Sequence, residues 1–159
     1  MKISYRPEID TLRAISVIGV IIYHAKINIL GYWIFPGGYY GVDIFFLISG
    51  YLITSVIHRE LEKTGKFSFI NFYIKRARRI LPALLFVVLA CIPFAWIYLM
   101  PTSFIDFSKS ILSSLIFVSN FYFYITGLEY GAENGLLKPL LHTWSLSVEE
   151  QFYILFPIL

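Results

Sequence analysis

The chain reads as a series of long apolar runs separated by short polar or basic stretches, a pattern that predicts membrane helices. Residues 1–9 form a polar lead, after which Asp10 can cap a helix that begins at Thr11 or Leu12 and runs to about Leu30. Its stretch DTLRAISVIGVIIYHA, Asp10 to Ala25, carries Arg13 near its start and His24 eleven residues further on. At 100° per residue these two lie within about 20° of one face and roughly 16 Å apart along the axis. One helix face is therefore expected to link a membrane edge to a point well inside the bilayer. Gly31 to Gly38, GYWIFPGG, has turn residues and interfacial aromatics without charge, and is placed outside. Tyr39 to Ile57 is long enough to return across the bilayer, burying Asp43 near its start; Gly41, Ser49 and Gly50 allow close helix packing.

The next stretch sets orientation. Between Arg59 and Arg79 lie seven of the thirteen basic residues against Glu60 and Glu62, the excess of a cytoplasmic loop, which makes the amino terminus cytoplasmic too. Phe69 to Arg79, FINFYIKRARR, is expected as an amphipathic helix at the inner surface, with Arg76 and Arg79 on one face and Phe72 and Tyr73 at the lipid boundary. A span follows over about 80–100 within the longest uncharged run, with Pro82 tolerated in a first turn and Pro93 predicting a kink. Residues 104–126 either span or enter and leave on the outer side as a re-entrant hairpin. The loop after them holds Glu129, Glu133 and a single lysine, unlike a cytoplasmic loop, and this favours re-entry. In PLLHTWSLSVEEQFYILFPIL, Ser147 and Glu150 match a capping box, so a further span is expected to start over 147–159. Nine residues beyond Glu150 cannot cross a bilayer, which makes the chain look like part of a longer protein.

Composition narrows the class. With 58% hydrophobic, 19% aromatic and 14% charged residues, the chain is too apolar for an ordinary soluble domain. The expected fold is all-α, a polytopic transmembrane helical bundle, incomplete at the carboxyl end, with residues 1–159 as one part-domain. Cys91 is the single cysteine, which excludes an intrachain disulfide or a cysteine-based metal cluster. His24, His58 and His142 show no ligand spacing, so no metal is expected, and no nucleic-acid partner either. Glu8, Asp10 and Arg13 follow Lys2 and Arg6, and no small-residue cleavage site closes the apolar run, so a removed signal peptide is not expected. An ionisable side chain at membrane depth costs a few kcal/mol and is a functional candidate by default, which singles out His24.

Four motifs occur in order: Arg13 and His24 with ten residues between them, GVDIFFLISGYLIT from Gly41, FYIKRARRILPAL from Phe72, and HTWSLSVEEQFY from His142. Together they resemble acyltransferase family three, bacterial integral-membrane enzymes that O-acylate surface polysaccharides. The resemblance covers essentially the whole chain, with Lys75 where the family often has arginine and Thr11 where glycine is common. Members have more membrane helices than are found here, so the resemblance implies an amino-terminal part whose first partner is the same polypeptide beyond Leu159.

The resemblance implies transfer of an acyl group, usually acetyl, from cytoplasmic acyl-CoA (acetyl-CoA) to a hydroxyl of a cell-surface or lipid-linked glycan. The setting is the bacterial inner membrane. Such chemistry needs cations for nucleotide phosphates, a base for the acceptor hydroxyl and a polar path through lipid. Arg76 and Arg79 are the candidates for the phosphates, with Arg13 at the mouth of the path. His24 is the candidate general base, or alternatively a transient acyl carrier, with Asp43 or Glu149 orienting it. Glu150 is assigned to the capping box. His142 and Ser145 shape the acceptor side or only a turn.

Other readings of the same residues stay open here. His24 can be a packing residue bonded across helices, Arg13 can pair with Asp10 or snorkel, and the Arg76–Arg79 cluster can serve topology alone. A transporter or channel subunit would also bury His, Arg and Asp along a polar path and would move substrate without covalent change. A non-catalytic scaffold would need no buried charge.

Overall fold

A computed structural model describes residues 6–30, 32–129 and 135–158. Among these the protein is all-α apart from one two-stranded hairpin, and it divides into two units, residues 1–65 and 66–159.

In the first unit, α1 (Pro7–Ala25) starts with proline at its first turn and Glu8 and Asp10 facing the positive end of the helix dipole. Asp10 is thus a first-turn residue rather than the cap expected, because the helix begins three residues earlier, after Arg6. It also ends sooner than Leu30. Lys26 takes a left-handed conformation, φ 48°, and its N–H closes on the Tyr23 carbonyl, so the helix stops one residue after His24. His24 therefore sits in the last turn of α1 and is exposed, not deep in an apolar helix. The residues beyond form an antiparallel hairpin, β1 (Asn28–Ile29) and β2 (Tyr32–Trp33), with Asn28 opposite Trp33.

The chain then returns as α2 (Tyr40–Thr64), antiparallel to α1. Small residues permit a close crossing: Ser16 and Gly19 on α1 face Gly38 and Gly41. A Cβ at Gly41 would lie 2.6 Å from the Ser16 carbonyl oxygen and 2.7 Å from a Val20 methyl, and one at Gly38 would collide with the Gly19 carbonyl. At the other end Arg6 reaches the Tyr51 hydroxyl. α2 runs past the expected limit of Ile57 to Thr64, where Gly65, φ 65°, supplies a left-handed cap.

In the second unit, α3 (Phe69–Tyr98) is one continuous helix that joins the expected surface helix to the expected span, with Pro82 and Pro93 inside it. Phe72 is buried rather than lipid-facing, and the Tyr73 hydroxyl donates to the Ile154 carbonyl at 3.0 Å. Pro101 at a first turn opens α4 (Pro101–Leu115). α4 ends where Phe117 adopts φ 56° and the Val118 N–H bonds to Ser113; α5 (Ser119–Leu128) follows. Residues 104–126 therefore do not form one spanning helix. At 1.5 Å per residue neither piece, roughly 22 and 15 Å long, reaches across a hydrocarbon core of about 30 Å.

α6 (Thr143–Leu155) begins four residues before Ser147. The capping box is corrected accordingly: Ser147 and Glu150 are both buried inside the helix. The unit's apolar core is Leu84, Val88 and Ala95 from one face of α3 with Phe107, Phe123 and Leu140. Beside it a chain of hydroxyls links α4, α5 and α6: Ser114 bonds Thr143 at 2.8 Å, Thr143 bonds Ser119 at 3.0 Å, and Ser119 bonds Ser147 at 2.7 Å, with the three serines buried and Thr143 half-buried. Ser110 and Ser113, also buried, donate to carbonyls of α4 itself. Gln151 and Asn120 bond reciprocally, and Gln151 also satisfies the Phe117 carbonyl at the helix break.

Among the described residues, α2 and α3 are long and apolar enough to cross a membrane. Their outward residues suit lipid: Leu47 is 74% exposed, Phe86 73% and Trp96 74%. α1 lacks Asp, Glu, Lys and Arg only from Ala14 to Ala25 and does not meet the same test.

Candidate functional site

The sequence-derived candidates fall in both units: Arg13, His24 and Asp43 in the first, Arg76, Arg79, His142, Ser145 and Glu149 in the second.

The geometry at His24 assigns its tautomer. Nδ1 lies 2.8 Å from the Val20 carbonyl oxygen, which can only accept, so neutral His24 carries its proton on Nδ1 and its lone pair on Nε2. The ring also meets the edge of Tyr23, centroids 5.3 Å apart. Tyr23 stacks on Trp33 at 5.2 Å and 20°, and meets Tyr39 edge-on at 5.7 Å. Asp43 is exposed in the first turn of α2 and acts electrostatically on Tyr39. It is therefore not buried, as expected from the apolar run around it. Arg13 is half-buried and lies 3.9 Å from Asp10, the local pairing that its spacing allowed.

In the second unit the two arginines separate. The Arg76 guanidinium carbon lies over the Tyr153 ring, 3.4 Å from its centroid, and over Phe72 at 5.5 Å, which ties Arg76 to α6. Arg79 is exposed. Glu149 accepts a hydrogen bond from the Tyr153 hydroxyl, so the same tyrosine is held through its ring by Arg76 and through its oxygen by Glu149. Glu150 is 8% exposed, within electrostatic reach of Arg76 and Glu149, and its Oε1 has no hydrogen-bond partner. His142 precedes α6 and is exposed, and Ser145 donates to the His142 carbonyl at 3.1 Å. These last two meet in the turn that starts the helix.

The sequence reading assigned Glu150 to a helix cap and passed over Tyr153 and the Tyr23–Trp33–Tyr39 group. The signal for the first two was present: two adjacent carboxylates in an apolar run cannot both face lipid, and Tyr153 stands three and four residues after them, on their side of a helix. The aromatic group had no such signal, since its rings come from three elements joined only by the fold.

Comparison with known proteins gives a consistent result. The model of a family described as an acyltransferase domain matches residues 6–159. An O-acetyltransferase OatA of Staphylococcus aureus strain NCTC 8325 is 40% identical over 154 residues, 97% of this chain and 24% of the relative. A putative O-acetyltransferase of Staphylococcus aureus strain MSSA476 is 41% identical over 158 residues, 99% of this chain and 25% of the relative. The chain thus spans about a quarter of the length of these relatives. No solved structure matches. With its motifs in order and the family model matched from Arg6 to Leu159, the chain belongs to the acyltransferase family that those motifs resembled.

Proposed function

We propose that the protein is a membrane O-acyltransferase, specifically an O-acetyltransferase, that moves an acetyl group from cytoplasmic acetyl-CoA to a glycan hydroxyl on the outer side of the bacterial inner membrane. The observation that carries the reading is the family match over residues 6–159, with relatives named O-acetyltransferases aligned along nearly all of the chain. The geometry at His24 fits the base this reaction needs, because the Val20 carbonyl holds the proton on Nδ1 and directs basicity to Nε2.

The proposed reaction balances with one proton moving through His24. Nε2 takes the proton of the acceptor hydroxyl as that oxygen bonds to the acyl carbon; the carbon–sulfur bond breaks, and the imidazolium returns the proton to the leaving thiolate. Asp43 is the first-unit carboxylate for favouring the imidazolium. Arg79, exposed on the basic start of α3, supplies charge for the phosphates of the donor, and Arg76 is its positioned neighbour. Arg13 serves the inner end of the α1 face. Glu149 belongs to the Tyr153 anchor, and His142 and Ser145 to the turn before α6. We further propose that α4 and α5 form a re-entrant pair, since neither is long enough to cross alone.

Full-length protein in sealed vesicles tests this reading. Acetyl-labelled acetyl-CoA supplied on the side of the amino terminus should yield labelled glycan on the other side. Movement of glycan or acetyl-CoA without transfer of label would instead identify a transporter.

A further inference from the structure

We propose that the exposed aromatic group beside His24 seats a pyranose ring of the acceptor, with Trp33 as the stacking surface. This rests on the reading of the protein as a glycan O-acyltransferase and names where the sugar sits. Trp33, Tyr39 and Tyr40 are 40%, 46% and 57% exposed, and all three belong to one connected group of rings. Tyr23 links that group directly to the His24 ring. The rings come from separate elements: Tyr23 from the end of α1, Trp33 from β2 and Tyr39 from the start of α2. Their relative placement is fixed by the hairpin and by the approach of Gly38 to Gly19 and Tyr23.

The chemistry suits a sugar. A pyranose presents a face of C–H bonds with slight positive charge, which packs against the negative face of an aromatic ring. Its hydroxyls need acceptors, and Asp43 is exposed in the first turn of α2, four residues after Tyr39. A general base must also stand within reach of the hydroxyl it activates, so the sugar has to be held beside His24. Residues that merely anchor helices in a bilayer interface are spread around the helix ends and require no mutual stacking. Here four rings form one chain of contacts, Trp33 to Tyr23 to Tyr39 to Tyr40, and Tyr23 also meets the imidazole.

The test measures binding of cellotetraose, a plain pyranose probe, to full-length protein in nanodiscs by saturation-transfer NMR, with ring-less glycerol as control. The wild type should bind cellotetraose, Trp33→Leu should weaken binding about tenfold, and Trp33→Phe should stay within about threefold, with glycerol unaffected throughout. If Trp33→Leu does not fold, Tyr39→Leu carries the same expectation. No binding by the wild type, or wild-type affinity in the leucine variants, would overturn the proposal; wild-type affinity together with altered quenching of the protein by brominated lipid would identify a membrane anchor. Cellotetraose binding that depends on Trp33, in a protein that transfers no acetyl group, would fault the enzymatic reading and leave the sugar seat standing.

Discussion

At the scale of single residues, the placement of one proton and one guanidinium says most. The Val20 carbonyl decides which nitrogen of His24 is basic, and it does so because His24 lies within the hydrogen-bonded end of α1, two residues before Lys26 turns left-handed. That histidine was legible from its distance to Arg13. Its exposed position was not, since nothing in the apolar pattern up to Leu30 marks the reversal at Lys26. Glu150 shows the opposite failure: S-x-x-E matched a familiar cap, yet the helix had already started at Thr143. The Arg76 guanidinium carbon lies 3.4 Å from the centre of the Tyr153 ring, a contact that a compact ammonium reproduces less well than a delocalised planar cation. Arg76→Lys should therefore lower stability by about 1–2 kcal/mol in detergent unfolding, and Tyr153→Leu should cost less in the lysine background than in the wild type. Equal costs in both backgrounds would dismiss the stacking.

At the scale of elements, two kinds of close contact hold the helices. The seam of Ser16, Gly19, Gly38 and Gly41 brings α1 and α2 together at backbone distance, and a side chain at Gly41 has nowhere to go. Gly41→Val is expected to destabilise by about 1–3 kcal/mol or to push the helices apart, whereas Gly50→Ala, with open space around it, should be close to neutral. Thermal unfolding of the two variants separates them. In the second unit Ser119 bonds both Thr143 and Ser147, so Ser119→Ala removes two interhelical hydrogen bonds and should cost about 1 kcal/mol, since Thr143 keeps Ser114 and the Leu140 carbonyl and Ser147 keeps the N–H of residue 119. Ser108→Ala, on the exposed side of α4, should cost almost nothing. Gly41 was read correctly from the sequence as a packing position, whereas Gly50, read the same way, faces open space, and Gly19 and Gly38 were not singled out for packing. The serines were visible only as an oddity in an apolar run, because their meaning depends on Thr143 and Ser147, about thirty residues away. Helix joins were the least legible feature: a basic surface helix and a span have the same periodicity, and only the fold shows them to be one helix from Phe69 to Tyr98.

At the scale of the molecule, the proposed donor route depends on which side of the membrane each end of α1 faces. In the proposed topology the stretch between Arg59 and Arg79, rich in Lys and Arg, lies inside, and a crossing by α2 would set the hairpin at Tyr32 and Trp33 outside. With Cys91 replaced by serine, single cysteines at Lys2 and Lys66 should be closed to an impermeant thiol reagent in intact cells, and one at Tyr32 should be open to it. Labelling of Lys2 and Lys66 on opposite sides would remove the proposed donor route. The family was legible in four motifs because its chemistry constrains residue types at fixed spacing. The sugar seat was not, since aromatic residues near a turn read equally as interfacial anchors until their rings are seen in contact. The central claim is that His24 carries the transferred proton, and it is tested most directly by transfer of labelled acetyl from acetyl-CoA to glycan by full-length His24→Ala protein, inserted to the wild-type level. The account predicts a fall of about a hundredfold or more, and transfer at the wild-type rate would contradict it.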